Sequence, residues 1–367
     1  MFAPLSIPSP SYDLQVFDLG QWLRDIGLSW FPFNINIHAY ALCILLGILA
    51  AGILTNHRLN RRGAEPGIVI DVSIWAVVFG IIGARTFHVL THPDDYFGQG
   101  RDLIRVFFVW EGGIAIFGAL LGGALGAYIG CRLIGLRFWT YADALAPGLL
   151  LAQAMGRLGN YFNHELYGLP TNLPWGLEIE STNPAFPAGL PDGTLFHPTF
   201  LYEIIWNLAG VAVLLLAERR FKRSRAEIAG ATVPTLEAVS YRLQWGKLLG
   251  LYLIWYGLGR SAFESLRIDP SEIFLGVRTN VWAAFAAILV GVIIIIVQGR
   301  RHPGIEPSPY RPGRGWAPEA ALDSEDTYSD GDSDGAATAT ESDAASVPAT
   351  SGTGGTGPGT KVLGAKR

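Results

Sequence analysis

The chain has 367 residues, half of them apolar and only 16% charged, where soluble globular proteins carry about a quarter. Its net charge of −4 is unevenly placed, because ten acids face five bases after His302 and the rest of the chain is close to neutral. This excludes the basic footprint of a nucleic-acid-binding domain, and two cysteines exclude a disulfide scaffold or a Cys-rich metal centre.

Crossing a hydrocarbon core takes about 20 helical residues. The sequence predicts an all-α integral membrane protein with seven transmembrane helices, over residues 37–54, 68–90, 106–130, 139–155, 199–217, 246–263 and 281–297. Ahead of the first, Pro4, Pro8 and Pro10 and the lack of a basic n-region argue against a cleavable signal peptide. The first span begins under His38 with Tyr40. The second carries Arg85 and ends near His88 and His92, whose spacing makes no convincing metal-ligand pattern. In the third, Gly118, Gly122, Gly126 and Gly130 recur every four residues on one face, the mark of a close helix–helix seam rather than a phosphate loop. Lys and Arg concentrate after the first, third, fifth and seventh spans, while residues 160–197 contain neither. The positive-inside bias therefore places the N-terminus outside and the C-terminus in the cytoplasm. Residues 1–301 form the predicted membrane domain. The Gly/Ser/Thr/Ala/Asp-rich stretch 302–367 almost lacks aliphatic residues and is predicted to be a disordered acidic tail.

Ionisable groups at membrane depth cost roughly 2.5–3.5 kcal/mol each on insertion scales and so mark sites. Three blocks stand out. Gly156-Arg157-Leu-Gly-Asn160-Tyr-Phe-Asn163-His-Glu165-Leu-Tyr-Gly168 ends the fourth span. Arg157 offers a permanently charged planar fork suited to phosphate, with amides and a carboxylate beside it to orient the fork or bind hydroxyls. His197-Pro198-Thr-Phe-Leu-Tyr202-Glu203 opens the fifth span with a carboxylate near the outer boundary. Tyr256, Arg260 and Glu264 are four residues apart, and Arg267 follows three later, so a helix would carry all four on one face up to Pro270. Each block also has a plainer reading: an interfacial arginine snorkelling to headgroups, a first-turn acid answering the helix dipole, a self-satisfied ion pair.

Taken together, these blocks resemble the signature of the bacterial prolipoprotein diacylglyceryl transferases. The likeness includes Trp110-Glu111-Gly112-Gly113 and runs in order from about Tyr40 to Arg301. The resemblance implies a plasma-membrane transferase with its site facing the outer side. Its partners would be phosphatidylglycerol and prolipoprotein signal peptides bearing a lipobox cysteine, with no nucleic acid, metal or organic cofactor. It further implies that Arg157 binds phosphatidylglycerol. Tyr40, Asn160, Glu165, Gly168, Glu203, Tyr256, Arg260 and Glu264 would occupy functional positions, with Arg157, Arg260 and Gly168 at the lipid. Many members continue the Trp-x-Gly-Gly block into a histidine proposed to take the thiol proton. Here Phe117 stands in its place and accepts none, so either the base lies elsewhere or none is required. Two other classes fit less well. A transporter would call for inverted repeats, and none is evident. An intramembrane serine protease would need a nucleophile motif that Gly259-Arg260-Ser261-Ala262-Phe263 does not provide.

Overall fold

The computed structural model describes residues 6–30, 32–97, 101–220, 222–224, 239–241, 243–269, 271–303 and 306–316. A short α1 (Leu19–Asp25) lies between β1 (Val16–Asp18) and β2 (Asn36–His38), which pair antiparallel. Seven long helices follow: α2 (Ala39–Arg61), α3 (Ile68–Thr91), α4 (Ile116–Leu133), α5 (Phe138–Phe162), α6 (Thr199–Arg220), α7 (Lys247–Glu264) and α8 (Thr279–Arg301). Among them α2, α3, α4, α6 and α8 are long and apolar enough to cross a membrane. The other two, α5 and α7, carry the charged and amide side chains of the first and third blocks, which lowers their hydropathy. Helix α5 is central and packs on α2, α4, α6 and α7, while α3 pairs with α4 and α7 with α8.

The glycine stripe of α4 packs against α3. A methyl group added at Gly118, Gly122 or Gly126 would strike the backbone carbonyl of Gly83, Phe79 or Trp75 respectively. The seam is thus closed by α3. The third span also starts later than its apolar run suggests. Residues 103–107 and 109–111 form 3-10 turns, and Gly112 (φ 89°) and Gly113 (φ 68°) adopt a left-handed backbone that breaks the helix until Ile116. Arg85 explains this loop. Its guanidinium donates to the carbonyls of Val106 (2.8 Å), Gly112 (2.7 Å), Gly113 (3.1 Å) and Arg105, and it lies 5.0 Å from the centre of the Tyr96 ring. It satisfies loop backbone that would otherwise be unpaired.

At the other end of the bundle Pro147 sits inside α5, removing the N–H that the Asp143 carbonyl would have accepted. Arg58 of α2 supplies replacements, donating to Asp143 O (3.0 Å) and Ala144 O (2.9 Å) while gripping Glu218 of α6 at 2.5 and 3.0 Å. The Asp143 carboxylate accepts from the backbone N–H groups of Gly246, Leu248 and Leu249, capping the start of α7.

Part of the stretch predicted as a disordered tail, residues 306–316, packs on the helices. Glu306 accepts from Thr140 Oγ1 (2.5 Å), and Tyr310 is buried among Leu59, Ile68 and Leu136. Arg137 also donates to the carbonyls of Pro309 and Tyr310 at 2.8 Å. Composition hides this, because one buried aromatic ring and backbone hydrogen bonds suffice to dock a short polar strap. The remainder of the predicted tail, from residue 317, lies outside the described residues.

Candidate active site

The three polar blocks meet at the end of the bundle where α2 begins and α5 ends. Their junction is a backbone joint. Gly168 N donates to His197 O (2.9 Å), His197 N to Leu169 O (3.0 Å) and Leu169 N to Leu266 O (2.8 Å), tying the segments after α5, before α6 and after α7. Gly168 is needed because no side chain fits there. An added methyl would lie 2.8 Å from His197 Cβ, 2.9 Å from Leu266 O and 3.0 Å from Thr199 Cγ2. Gly159 plays a similar part deeper in, where the Tyr40 ring lies directly against it and brings α2 onto α5.

Beneath the joint is a cavity of about 360 Å³ walled by Tyr40, Gln153, Arg157, Asn160, Glu203, Trp206, Asn207, Tyr256 and Arg260. Arg157 Nη2 lies 2.7 Å from Glu203 Oε2, and its Nη1 donates to Asn160 Oδ1 (3.1 Å). Asn160 in turn donates to Glu165 Oε1 (2.8 Å). Glu165 therefore acts on the arginine through the amide, not by direct contact. On the far wall Arg260 Nη2 lies 3.0 Å from Glu264 Oε2, whose other oxygen takes Arg278 (3.3 Å) and Asn280 (3.0 Å). Glu264 is fully buried and faces two guanidiniums, so this wall keeps excess positive charge.

Six of the sequence-predicted residues line the cavity: Tyr40, Arg157, Asn160, Glu203, Tyr256 and Arg260. Glu165, Glu264 and Gly168 do not; the first two hold side chains that do, and Gly168 holds the joint. Arg267 corrects the four-residue face read from the sequence. Helix α7 ends at Glu264, and Arg267 turns away to grip Asp269 at 2.7 and 3.0 Å. Burial alone would raise the Asp269 carboxyl, but the Arg267 fork outweighs it and holds it below the ordinary range. Pro270 lies outside the described residues.

Sequence reasoning missed Gln153, Trp206, Asn207 and Leu166 of the cavity wall. Leu166 has φ 57°, a left-handed backbone that costs a branched residue energy, and Thr199 Oγ1 pins its carbonyl. Trp206 stacks on Trp255 at 4.4 Å, and each indole donates to the other's backbone carbonyl. An aromatic in an apolar helix gives no signal of either role.

A family model described as prolipoprotein diacylglyceryl transferase matches residues 29–297. The chain belongs to this family. A relative from Leifsonia xyli subsp. xyli named phosphatidylglycerol–prolipoprotein diacylglyceryl transferase is 57% identical, over 88% of this chain and 90% of its own length. Another so named, from Streptomyces coelicolor and numbered 2, is 46% identical over 74% and 79%. A third, from Bifidobacterium adolescentis, is 43% identical over 72% and 75%. Phe117 packs near Phe87, with ring centres 6.3 Å apart, and its neighbour Ile116 reaches the cavity instead. Among the described residues, Glu203 is the single carboxylate in the cavity wall.

Proposed function

We propose that the protein transfers the diacylglyceryl group of phosphatidylglycerol to the lipobox cysteine of prolipoproteins, as the names of its relatives describe. The observation that carries this reading is one cavity holding Arg157 and Arg260, each already braced by a carboxylate. The cysteine sulfur attacks the glycerol carbon next to phosphate; a sulfur–carbon bond forms and the carbon–oxygen bond breaks. Glycerol 1-phosphate departs with the electron pair, so negative charge grows on the phosphate. Fixed guanidinium donors in a water-poor site stabilise such charge more in the transition state than in the ground state. The same field favours the thiolate, whose ordinary pKa near 8.5 leaves a few per cent ionised at neutral pH.

Glu203 fits the missing base. The incoming phosphate competes with it for Arg157; once displaced, its carboxylate stays within the same wall, free to take the thiol proton. Asn160 and Glu165 hold the arginine meanwhile, and Tyr40 and Tyr256 contact the headgroup. In this reading all seven long helices span the plasma membrane, with the N-terminus and the cavity outside and the C-terminus cytoplasmic. The two polar helices, α5 and α7, are shielded from lipid by the apolar five. The transferase unit is residues 1–301 together with the strap 306–316.

Mass spectrometry of a lipobox peptide incubated with proteoliposomes containing phosphatidylglycerol tests the reading. Arg157→Ala and Arg260→Ala should lose conversion by at least a hundredfold, the scale of removing one such donor. Glu203→Gln should lose most turnover at neutral pH and regain part as rising pH ionises the thiol. Near-normal conversion by either arginine variant removes the phosphate clamp, and a flat pH response in Glu203→Gln removes the base. Labelling of an Asn172→Cys variant by an impermeant thiol reagent from outside the cell tests the orientation.

A further inference from the structure

A second cavity, of about 400 Å³, lies at the opposite end of the bundle, walled by Leu54, His57 and Arg61 of α2 and Leu215 and Arg219 of α6. Eighteen helical residues separate Tyr40 from Arg58, so the two cavities are about 27 Å apart along α2, close to the thickness of a hydrocarbon core. The floor is the rigid grip of Arg58 on Glu218, to which Arg62 adds a third contact at 2.7 Å. That carboxylate is saturated by two guanidiniums. Arg61 and Arg219 are exposed at the rim and have no hydrogen-bond or ion-pair partner among the described residues. A net positive mouth thus stands over Leu54 and Leu215, beside the exposed Leu49, Ile53 and Leu216 of the same two helices.

We propose that this cavity holds a second anionic phospholipid, with its phosphate between Arg61 and Arg219 and its acyl chains along the α2–α6 cleft. Two cations without a partner among the described residues, standing beside Leu54 and Leu215 over a floor whose one carboxylate is already saturated, match the chemistry of that molecule: planar forks for phosphate oxygens next to apolar side chains for acyl chains. Held there, the lipid ties α2 to α6, the helices that deliver Tyr40 and Glu203 to the active site. The proposal rests on the bundle spanning a bilayer, not on the transfer reaction.

The test uses photo-crosslinkable phosphatidylglycerol and phosphatidylcholine probes, labelled in the acyl chain, in proteoliposomes of the full chain, with the label mapped by proteolysis. The phosphatidylglycerol probe should label the segments around Leu54 and Leu215. In Arg61→Gln/Arg219→Gln that label should fall roughly thirtyfold at limiting probe, as expected for two basic side chains at a lipid surface. Arg61→Lys/Arg219→Lys should keep most of it, and excess inorganic phosphate should leave it unchanged. The Gln double variant should still convert lipobox peptides. Equal labelling by phosphatidylcholine, undiminished labelling in the Gln variant or lost labelling in the Lys variant each overturns the site. Suppression by inorganic phosphate overturns the lipid as its occupant. Failure of the transferase reading is distinct, since it shows as unconverted peptide with these labels intact, including in Arg157→Ala.

Discussion

Gly168 separates two explanations for a residue that the family resemblance places at the lipid. Non-bonded carbons pack best at about 3.5–4.0 Å, so a methyl at Gly168 standing 2.8 Å from His197 Cβ must be relieved by a movement of about 0.7 Å or more. The backbone there has little room to move. The methyl also meets Leu266 O at 2.9 Å, the carbonyl that accepts from Leu169, and three hydrogen bonds of 2.8–3.0 Å converge on the same joint. Overpacking costs about 1–3 kcal/mol and each weakened hydrogen bond up to about 1 kcal/mol, so Gly168→Ala should lose about 2–4 kcal/mol of stability. Gly156 is the internal control. It lies in α5 at the cavity wall, and an added methyl there meets nothing within 4 Å. Gly156→Ala should gain stability, by up to about 1 kcal/mol from helix propensity. Denaturant unfolding of both variants in one detergent, with peptide conversion measured alongside, decides between the explanations. A Gly168→Ala protein as stable as the parent but inactive would refute the joint and return Gly168 to direct contact with lipid.

Two adjacent glycines of α4 should respond with opposite signs. Gly122→Ala drives a methyl into the Phe79 carbonyl and should destabilise by about 1–3 kcal/mol, whereas Gly123→Ala, 3.6 Å from Ala76 O, should be neutral or stabilising in the same unfolding measurement. The docked strap should be pH-sensitive. Burial pushes the Glu306 carboxyl up from its ordinary value near 4.5 to about 7, against the pull of Thr140 and Arg62. A carboxyl raised in the folded state favours docking most when protonated. Docking stability should therefore be full below about pH 4.5, decline as pH rises, and be lost through about pH 7. Hydrogen exchange at Tyr310 should report this decline, and Glu306→Gln should flatten it.

Much of this protein was legible along the chain because membrane physics writes in long runs. Seven apolar stretches became seven long helices, with ends within a turn or two of those expected, except where Gly112 and Gly113 interrupt the third. Arg157, Asn160, Glu203 and Arg260 declared themselves as charges and amides where lipid should be, and the four-residue glycine rhythm announced a seam. Periodicity and composition are local properties, and they stop at the reach of one helix. Only the fold decided that Glu203 of α6 braces Arg157 of α5, and that Arg85 serves loop carbonyls instead of a ligand. Only the fold set Gly168 between three backbone segments, pulled Arg267 off the α7 face and buried Tyr310 of the strap. Each of those outcomes depends on distances between residues tens of positions apart in sequence, and such distances exist only once the helices have packed.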